Sequence, residues 1–119
     1  MCNWDEDTVT MAVAAARDCL AGMDKAKVDA HFLASTTLPF ADRLNAGIVA
    51  TGLNLRDDIL TVDFSSSMKA GTSALVTALE VLKGGEKQQI IITASDKRET
   101  RAASSYEMLF GDGAASLLL

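Results

Sequence analysis

Apolar residues near the start of the chain recur at spacings that suit one face of a helix. Asn3 or Asp5 is predicted to cap this helix, and Gly22 to end it. Trp4 precedes the helix and is predicted to act as a hydrophobic staple, whereas Cys19 is predicted to lie in the core. The apolar face comprises Val9, Ala12, Val13, Ala16, Cys19, Leu20 and Met23.

The rest of the chain alternates between short apolar runs and helical periodicity. The predicted elements are, in order, strand 28–34, helix 41–53, strand 59–64, helix 69–83, strand 89–94, polar loop 96–108, turn 111–113 and strand 114–119. In the two helices we expect Leu44, Ile48, Val49, Ala74, Leu75, Ala78, Leu79 and Leu82 to face inward. Glycines 111 and 113 suit a turn with positive φ.

This order of elements predicts one α/β layered sandwich with a mostly parallel sheet. The β-branched run at 90–92 is typical of a strand buried on both faces. No helix is predicted between the last two strands, so we expect that pair to be antiparallel. The chain of 119 residues begins with a helix and stops inside an apolar strand, so we expect a single domain cut from a longer polypeptide.

Composition narrows the possible functions. The net charge is −5 and the pI about 4.7, which argues against a nucleic-acid surface. The basic cluster at 97–101 contains Glu99 and is predicted to be a solvated loop. Cys2, Cys19 and a single His31 give no disulfide framework or metal spacing, and His31 is predicted to be a hydrogen-bonded structural residue. We expect a reduced, cytoplasmic domain without a membrane span.

Four segments together carry a resemblance to a known family. They read Asp-Glu-Asp-Thr-Val-Thr-Met-Ala at 5–12, Phe-Leu-Ala-Ser-Thr-Thr-Leu-Pro at 32–39, Met-Lys-Ala-Gly-Thr at 68–72 and Phe-Gly-Asp-Gly-Ala-Ala at 110–115. In order and spacing they resemble the thiolase superfamily, especially HMG-CoA synthase and ketoacyl-ACP synthase III. The resemblance implies a thiolase-like sandwich and an acyl-CoA or acyl-carrier thioester as ligand, with no other cofactor.

The same resemblance implies positions for the reacting groups. The family's nucleophilic cysteine falls on Met68, and its acid/base position falls on Thr36. Thr36, Ser67, Met68 and Gly71 are therefore the candidates for the acyl-thioester pocket. A thioether cannot form the thiolate that attacks a thioester. Loss of a covalent nucleophile can cost about 10⁶ in rate, or roughly 8 kcal/mol.

A serine offers an alternative nucleophile in the same turn. The segment 66–69 reads Ser-Ser-Met-Lys, which satisfies the S-x-x-K pattern, but the companion motifs S-D-N and K-T-G are absent. We therefore expect one serine of the run to cap the following helix, and Lys69 to be solvated.

Three hypotheses follow. The leading one is a thiolase-fold protein without condensing activity of its own, which holds an acyl thioester or supports an active synthase partner. A second hypothesis is that the chain is an enzyme, either an acyltransferase or a decarboxylase, that acts on a bound thioester without a covalent intermediate. A third is a flavodoxin-like interaction domain. The resemblance also implies a homodimer through the strand that contains Ile59, Leu60, Val62 and Phe64, an apolar strand that would make a poor exposed edge.

Overall fold

The computed structural model describes residues 2–119 and contains alternating helices and strands, as the sequence predicts. The helices are α1 (Thr8–Cys19), α2 (Asn45–Gly52), α3 (Ala70–Lys83) and α4 (Ser105–Leu109). The strands are β1 (Ala30–Ala34), β2 (Leu60–Phe64), β3 (Ile90–Asp96) and β4 (Gly113–Leu118). A single 3₁₀ turn, Lys25–Lys27, precedes β1.

The four strands form one mixed sheet in the order β2-β1-β3-β4. β1 is parallel to β2 and to β3, whereas β3 and β4 are antiparallel. The predicted α/β sandwich with an antiparallel closing strand is therefore confirmed. In this register Ala34 lies beside both Phe64 and Ala94, so the carboxyl ends of β1, β2 and β3 meet at one edge of the sheet.

Helices cover both faces of the sheet. α1 and α2 pack with Leu33 and Ile91 in one apolar cluster, and α3 packs with Phe32 and Ile92 in the other. All five residues of β1 are buried. The run 90–92 is buried as predicted, because β3 lies between two strands and beneath helices on both sides.

The start of α1 differs from the prediction. Asp7, and not Asn3 or Asp5, caps the helix: its side chain accepts the N–H of Thr10, and the Thr10 hydroxyl oxygen accepts the N–H of Asp7, both at 2.8 Å. This reciprocal capping box satisfies two N–H groups at once, which a cap further upstream could not do. Trp4 is fully exposed, so the predicted staple is wrong.

The end of α1 is also earlier than predicted. The helix stops at Cys19, and Gly22, with φ of +76°, lies in the turn that follows. Cys19 is half-buried against the first apolar cluster instead of fully buried in it.

α2 begins four residues later than the predicted residue 41, because a strand residue determines where it starts. The carboxylate of Asp63 on β2 accepts the N–H groups of Asn45 at 2.8 Å and Ala46 at 2.6 Å. Leu44 therefore stands before the helix and is exposed, contrary to the prediction, while Val49 is buried as expected.

The remaining differences are local. The predicted loop 96–108 contains the short helix α4, whose first turn is capped by the Ser104 side chain. Gly111 and Gly113 do not adopt positive φ, so their predicted turn is wrong. On α3, Ala74 and Ala78 are buried, but Leu79 is exposed.

β2 occupies one edge of the sheet. The N–H of Leu60 donates to the backbone carbonyl of Asp29, and the carbonyl of Phe64 accepts the N–H of Ser35. Since backbone groups alternate in direction along a strand, those of Thr61 and Asp63 point away from the sheet. Between residues 2 and 119, the longest helices fall short of the length and apolarity that a bilayer crossing requires.

Candidate functional site

The site lies where the carboxyl ends of the parallel strands converge. Residues 35–37 follow β1, residues 65–69 follow β2, and residues 97–101 follow β3. Such an edge is where open α/β sheets commonly bind ligands, because the loops leave the sheet there and face one another.

The turn between β2 and α3 presents Met68. Ser66 adopts a left-handed conformation with φ of +63°, which is unusual for a residue other than glycine. The carbonyl of Ser67 accepts the N–H of Ala70 at 3.0 Å, and its hydroxyl accepts the N–H of Lys69 at 3.1 Å. The chain thus reverses within a few residues and leaves the Met68 side chain 68% exposed beside the first turn of α3.

Ser67 orders this turn without capping α3. Its hydroxyl bonds to Lys69, which is itself the residue before the helix and is exposed, as predicted. Within residues 2–119 the Ser67 hydroxyl has no histidine or carboxylate as a hydrogen-bond partner. The arrangement therefore lacks the base that a serine nucleophile needs.

Asp96, at the end of β3, ties the turn after β1 to the site. Its Oδ1 atom accepts hydrogen bonds from the Ser35 hydroxyl at 2.9 Å, the Thr36 N–H at 2.7 Å, the Thr36 hydroxyl at 3.0 Å and the Thr37 hydroxyl at 3.0 Å. Burial raises the pKa of Asp96, but these hydrogen bonds outweigh that effect and hold the pKa below its ordinary value.

Arg98 connects Thr36 with Met68. Its Nη2 atom lies 3.0 Å from the Thr36 hydroxyl oxygen and 2.9 Å from the Met68 sulfur. The guanidinium carbon stands 4.5 Å from the centre of the Phe110 ring, a cation–π distance. The two predicted reacting positions, 36 and 68, are therefore close together and are bridged by a cation.

The prediction of a solvated basic loop is wrong for its first two residues. Lys97 donates from Nζ to the carbonyl of Glu6 at 2.7 Å, and Arg98 is half-buried in the site. Sequence reasoning missed Asp96 and Arg98 as site residues. The available signal was their place directly at the end of β3, the strand predicted to run parallel to the one before Thr36.

A cavity of about 570 Å³ opens next to Arg98. It is lined by Thr36, Thr37, Arg98, Glu99, Thr100, Arg101, Ser104 and Tyr106. Of the four predicted pocket residues, only Thr36 lines it. Ser67, Met68 and Gly71 lie outside the lining, and a side chain added at Gly71 would meet open space.

His31 is structural, as predicted, and is fully buried. Its Nδ1 donates to the Ala46 carbonyl at 3.0 Å, which leaves Nε2 to accept from the Thr93 hydroxyl at 3.3 Å. Burial lowers the pKa of His31, against the opposing effects of the Ala46 hydrogen bond and the Asp63 charge. The imidazole is therefore neutral and fully used, with no nitrogen free to act as a base in the site.

Known proteins resemble this chain over nearly its whole length. It is 31% identical to the hydroxymethylglutaryl-CoA synthase of Methanocella arvoryzae over 116 residues. These residues are 97% of this chain and 33% of that protein. The corresponding enzyme of Pyrococcus furiosus is 29% identical over 117 residues, again 97% of this chain and 33% of its own length. A scan against protein-family models gave no match.

Solved structures agree with these sequence matches. A structure of MvaS in complex with 3-hydroxy-3-methylglutaryl coenzyme A superposes with a TM-score of 0.88 and 25% identity, over 95% of this chain and 28% of that one. The chain is a relative of HMG-CoA synthase and ketoacyl-ACP synthase III, within the thiolase superfamily. The structure of the ketoacyl-ACP synthase III FabH from Pseudomonas aeruginosa superposes on this chain with a TM-score of 0.85 and 28% identity, over 96% of this chain and 36% of FabH.

The likeness to other thiolase-like proteins concerns the fold. Xanthomonas campestris OleA with bound lauric acid and lauroyl-CoA superposes with a TM-score of 0.83 at 20% identity. The chain spans about a third of the length of the curated relatives that it matches. The region of similarity is therefore one part of each of these relatives.

Proposed function

We propose that this chain holds an acyl thioester in a thiolase-like site without forming an acyl-enzyme, because Met68 takes the place of the nucleophile. The observation that carries the proposal is the position of the Met68 sulfur. It stands at the strand-to-helix turn before α3, where a thiolate would be stabilised, and 2.9 Å from the Arg98 cation.

The chemistry of the thioether supports a binding role. A methionine sulfur has no proton to lose, and an acyl group on it would be a sulfonium that cannot persist in water. Thr36, at the predicted acid/base position, donates its hydroxyl proton to Asp96 and is not free to act as an acid. Neither reacting position can therefore supply its part of a covalent condensation.

The ligand class is inferred from the relatives. The MvaS structure contains 3-hydroxy-3-methylglutaryl coenzyme A, an acyl-CoA thioester. We assign acyl-CoA or an acyl-carrier thioester to this chain on that basis, with Thr36, Ser67, Met68 and Gly71 facing the acyl end. A homodimer through β2, or an active synthase as partner, fits the unpaired edge of the sheet.

Calorimetry tests the binding role. Acetyl-CoA should bind the full-length protein more tightly than free coenzyme A, and Thr36→Val should weaken that binding because it removes the hydroxyl that orients Arg98. The control is Thr51→Val, whose hydroxyl donates to the Gly47 carbonyl on the distant helix α2. Equal affinity of the wild type for acetyl-CoA and coenzyme A would contradict the proposal.

Arg98 favours one catalytic alternative, a non-covalent decarboxylase. When a malonyl thioester loses carbon dioxide, its C–C bond breaks and the electron pair becomes a thioester enolate, which then takes a proton from water. A guanidinium beside that oxygen would stabilise the enolate. Release of carbon dioxide from malonyl-CoA, abolished in Arg98→Gln, would support this alternative over simple binding.

The flavodoxin-like hypothesis is less well supported. The strand order β2-β1-β3-β4 is shared with that fold, but its sheet is parallel, whereas β4 here is antiparallel to β3. An interaction role on another scaffold therefore has no specific observation in its favour.

A further inference from the structure

The segment 110–115, which carries part of the family resemblance, lies beside the loop that contains Arg98. β3 and β4 are paired as far as Asp96 and Gly113, where their ladder of backbone hydrogen bonds ends. Just beyond that point a side chain continues the connection, because Oδ1 of Asp112 accepts the N–H of Arg98 at 3.1 Å. The carboxylate therefore ties the Arg98 main chain to the start of β4, two residues past the paired strands.

The same carboxylate is held from a second side. Its Oδ2 atom accepts the N–H of Cys2 at 3.1 Å. Asp112 is half-buried, and the hydrogen bonds from the Cys2 N–H, the Cys2 thiol and the Arg98 N–H outweigh burial and hold its pKa below the ordinary value of a carboxyl. The group is therefore ionised at neutral pH, and both of its oxygens are used as acceptors.

Phe110 fixes the other end of Arg98. The guanidinium carbon stands 4.5 Å from the centre of the Phe110 ring. Tyr106 stacks on that ring in turn, with the ring centres 5.7 Å apart and an angle of 12° between the planes. Asp112 thus holds the main chain of the arginine, and Phe110 holds its side chain.

From these contacts we propose that Asp112 is a positioning residue, whose carboxylate keeps the Arg98 guanidinium against Met68 and Thr36. The guanidinium reaches both through Nη2, at 2.9 Å from the Met68 sulfur and 3.0 Å from the Thr36 hydroxyl oxygen. Without the Asp112 bond the Arg98 main chain is free to move, and one nitrogen then cannot keep the geometry of both contacts. This inference deepens the proposed function, because it names what holds the cation in that site.

The test uses the thiol of Met68→Cys as a probe of the cation. The pH dependence of iodoacetamide labelling of the full-length protein gives the pKa of that thiol, with and without Asp112→Ala. Loss of the Asp112 charge alone would lower the pKa, since a nearby anion disfavours a thiolate. Loss of positioning takes the guanidinium away from the thiolate and should instead raise the pKa by about one pH unit. The direction of the change therefore separates the two effects.

Two further variants sharpen the measurement. Asp58→Ala removes an exposed carboxylate before β2, at the opposite edge of the sheet, and should leave the pKa unchanged. In a protein that already carries Arg98→Gln, Asp112→Ala should cause no rise, because the cation that it positions is gone. Peptide mass spectrometry restricts the measurement to position 68, since Cys2 itself contacts Asp112.

A second substitution covers the case in which Asp112→Ala does not fold. Asp112→Glu keeps the negative charge but moves the carboxylate outward by one methylene group. Positioning predicts that the pKa of the thiol at position 68 rises in this variant as well. An effect of charge alone predicts no change.

The outcomes separate this inference from the proposed function. A pKa at position 68 that falls or stays constant in the folded Asp112 variant would overturn the inference. So would a rise that persists together with Arg98→Gln, since Asp112 would then act without the arginine. The labelling needs no acyl thioester. If calorimetry shows no binding of acetyl-CoA to the wild type while the pKa rises as predicted, the proposed function fails and the role of Asp112 stands.

Discussion

The Nη2 atom of Arg98 lies 2.9 Å from the sulfur of Met68. This contact places a fixed cation at the turn where relatives of this chain are expected to hold a nucleophilic thiol. A cation there would stabilise a thiolate, but it has only a thioether as its neighbour. The contact therefore makes the proposed loss of the nucleophile directly testable.

Met68→Cys should create a reactive thiol with a lowered pKa. The Arg98 guanidinium and the first turn of α3 both favour the thiolate. We expect iodoacetamide to label Cys at position 68 well below the pH at which a free cysteine of ordinary pKa, about 8.5, reacts. The pH dependence of the labelling rate gives the pKa, and adding Arg98→Gln should raise it.

The native cysteines provide the background for that measurement. Burial, and then the hydrogen bond and charge of Asp112, raise the pKa of the Cys2 thiol, so it should label slowly at neutral pH. Half-buried Cys19 should also be slow. A Met68→Cys thiol that titrates like a free cysteine would contradict the electrostatic role given to Arg98, and rapid labelling of Cys19 with loss of ligand binding would move the site elsewhere.

Asp96→Ala should destabilise the protein by about 2 kcal/mol, because it leaves the Ser35, Thr36 and Thr37 donors without their shared acceptor. Urea unfolding measures the change. The matched control, Asp58→Ala, removes an exposed carboxylate in a 3.6 Å ion pair with Arg56 and should change stability by less than about 0.5 kcal/mol. Equal effects of the two substitutions would show that Asp96 does not organise the site.

The proposed dimer can be tested at the outer edge of β2. Thr61 directs its backbone N–H away from the sheet, whereas Val62 directs its own toward β1. Thr61→Pro should therefore remove an intersubunit donor and give a folded monomer, while Val62→Pro should disrupt β1–β2 pairing and unfold the protein. Sedimentation of each variant at tens of micromolar protein measures whether it is a monomer or a dimer, with Lys87→Ala as the neutral control. A wild-type protein that sediments as a stable monomer would defeat this dimer.

Stability should fall as the pH drops below about 6.5, because His31 is buried and neutral. Its folded-state pKa is lowered, so the unfolded chain takes up a proton before the folded chain does. The free energy of unfolding should therefore decrease by up to about 1.4 kcal/mol per pH unit below 6.5 until the folded-state pKa is reached. Urea unfolding at pH 7.5 and 5.5 measures this, and His31→Gln should remove most of the difference. Equal stability of the wild type at both pH values would contradict the assignment.

Sequence periodicity was sufficient to predict the layered sheet. The prediction agreed well with the structure for two elements, the buried run at 90–92 and the helix predicted at 69–83. Each of them combines one strong apolar pattern with clear ends. The start of α2 was not predictable in this way. Its first N–H groups are bound by Asp63, a residue on another element, so only the folded chain shows where the helix begins.

The site was only partly predictable from sequence. The family resemblance selected Thr36 and Met68, which the structure brings together through Arg98. Arg98 could not be predicted as a site residue, because it lies in a polar segment whose composition is typical of a solvated loop. The charge of a side chain does not indicate where its loop lies in the folded chain. Parallel pairing of β1 with β3 places that segment over the site, and this pairing is a tertiary property.

Acylation of the protein distinguishes a binding role from covalent catalysis. Intact-protein mass spectrometry after incubation with acetyl-CoA, under conditions where calorimetry shows binding, measures it. We predict an unchanged mass for the wild type and an acetyl adduct for Met68→Cys, mapped to position 68. An acetyl adduct on the wild-type protein, lost in Ser67→Ala, would contradict the account and assign the nucleophile to the serine.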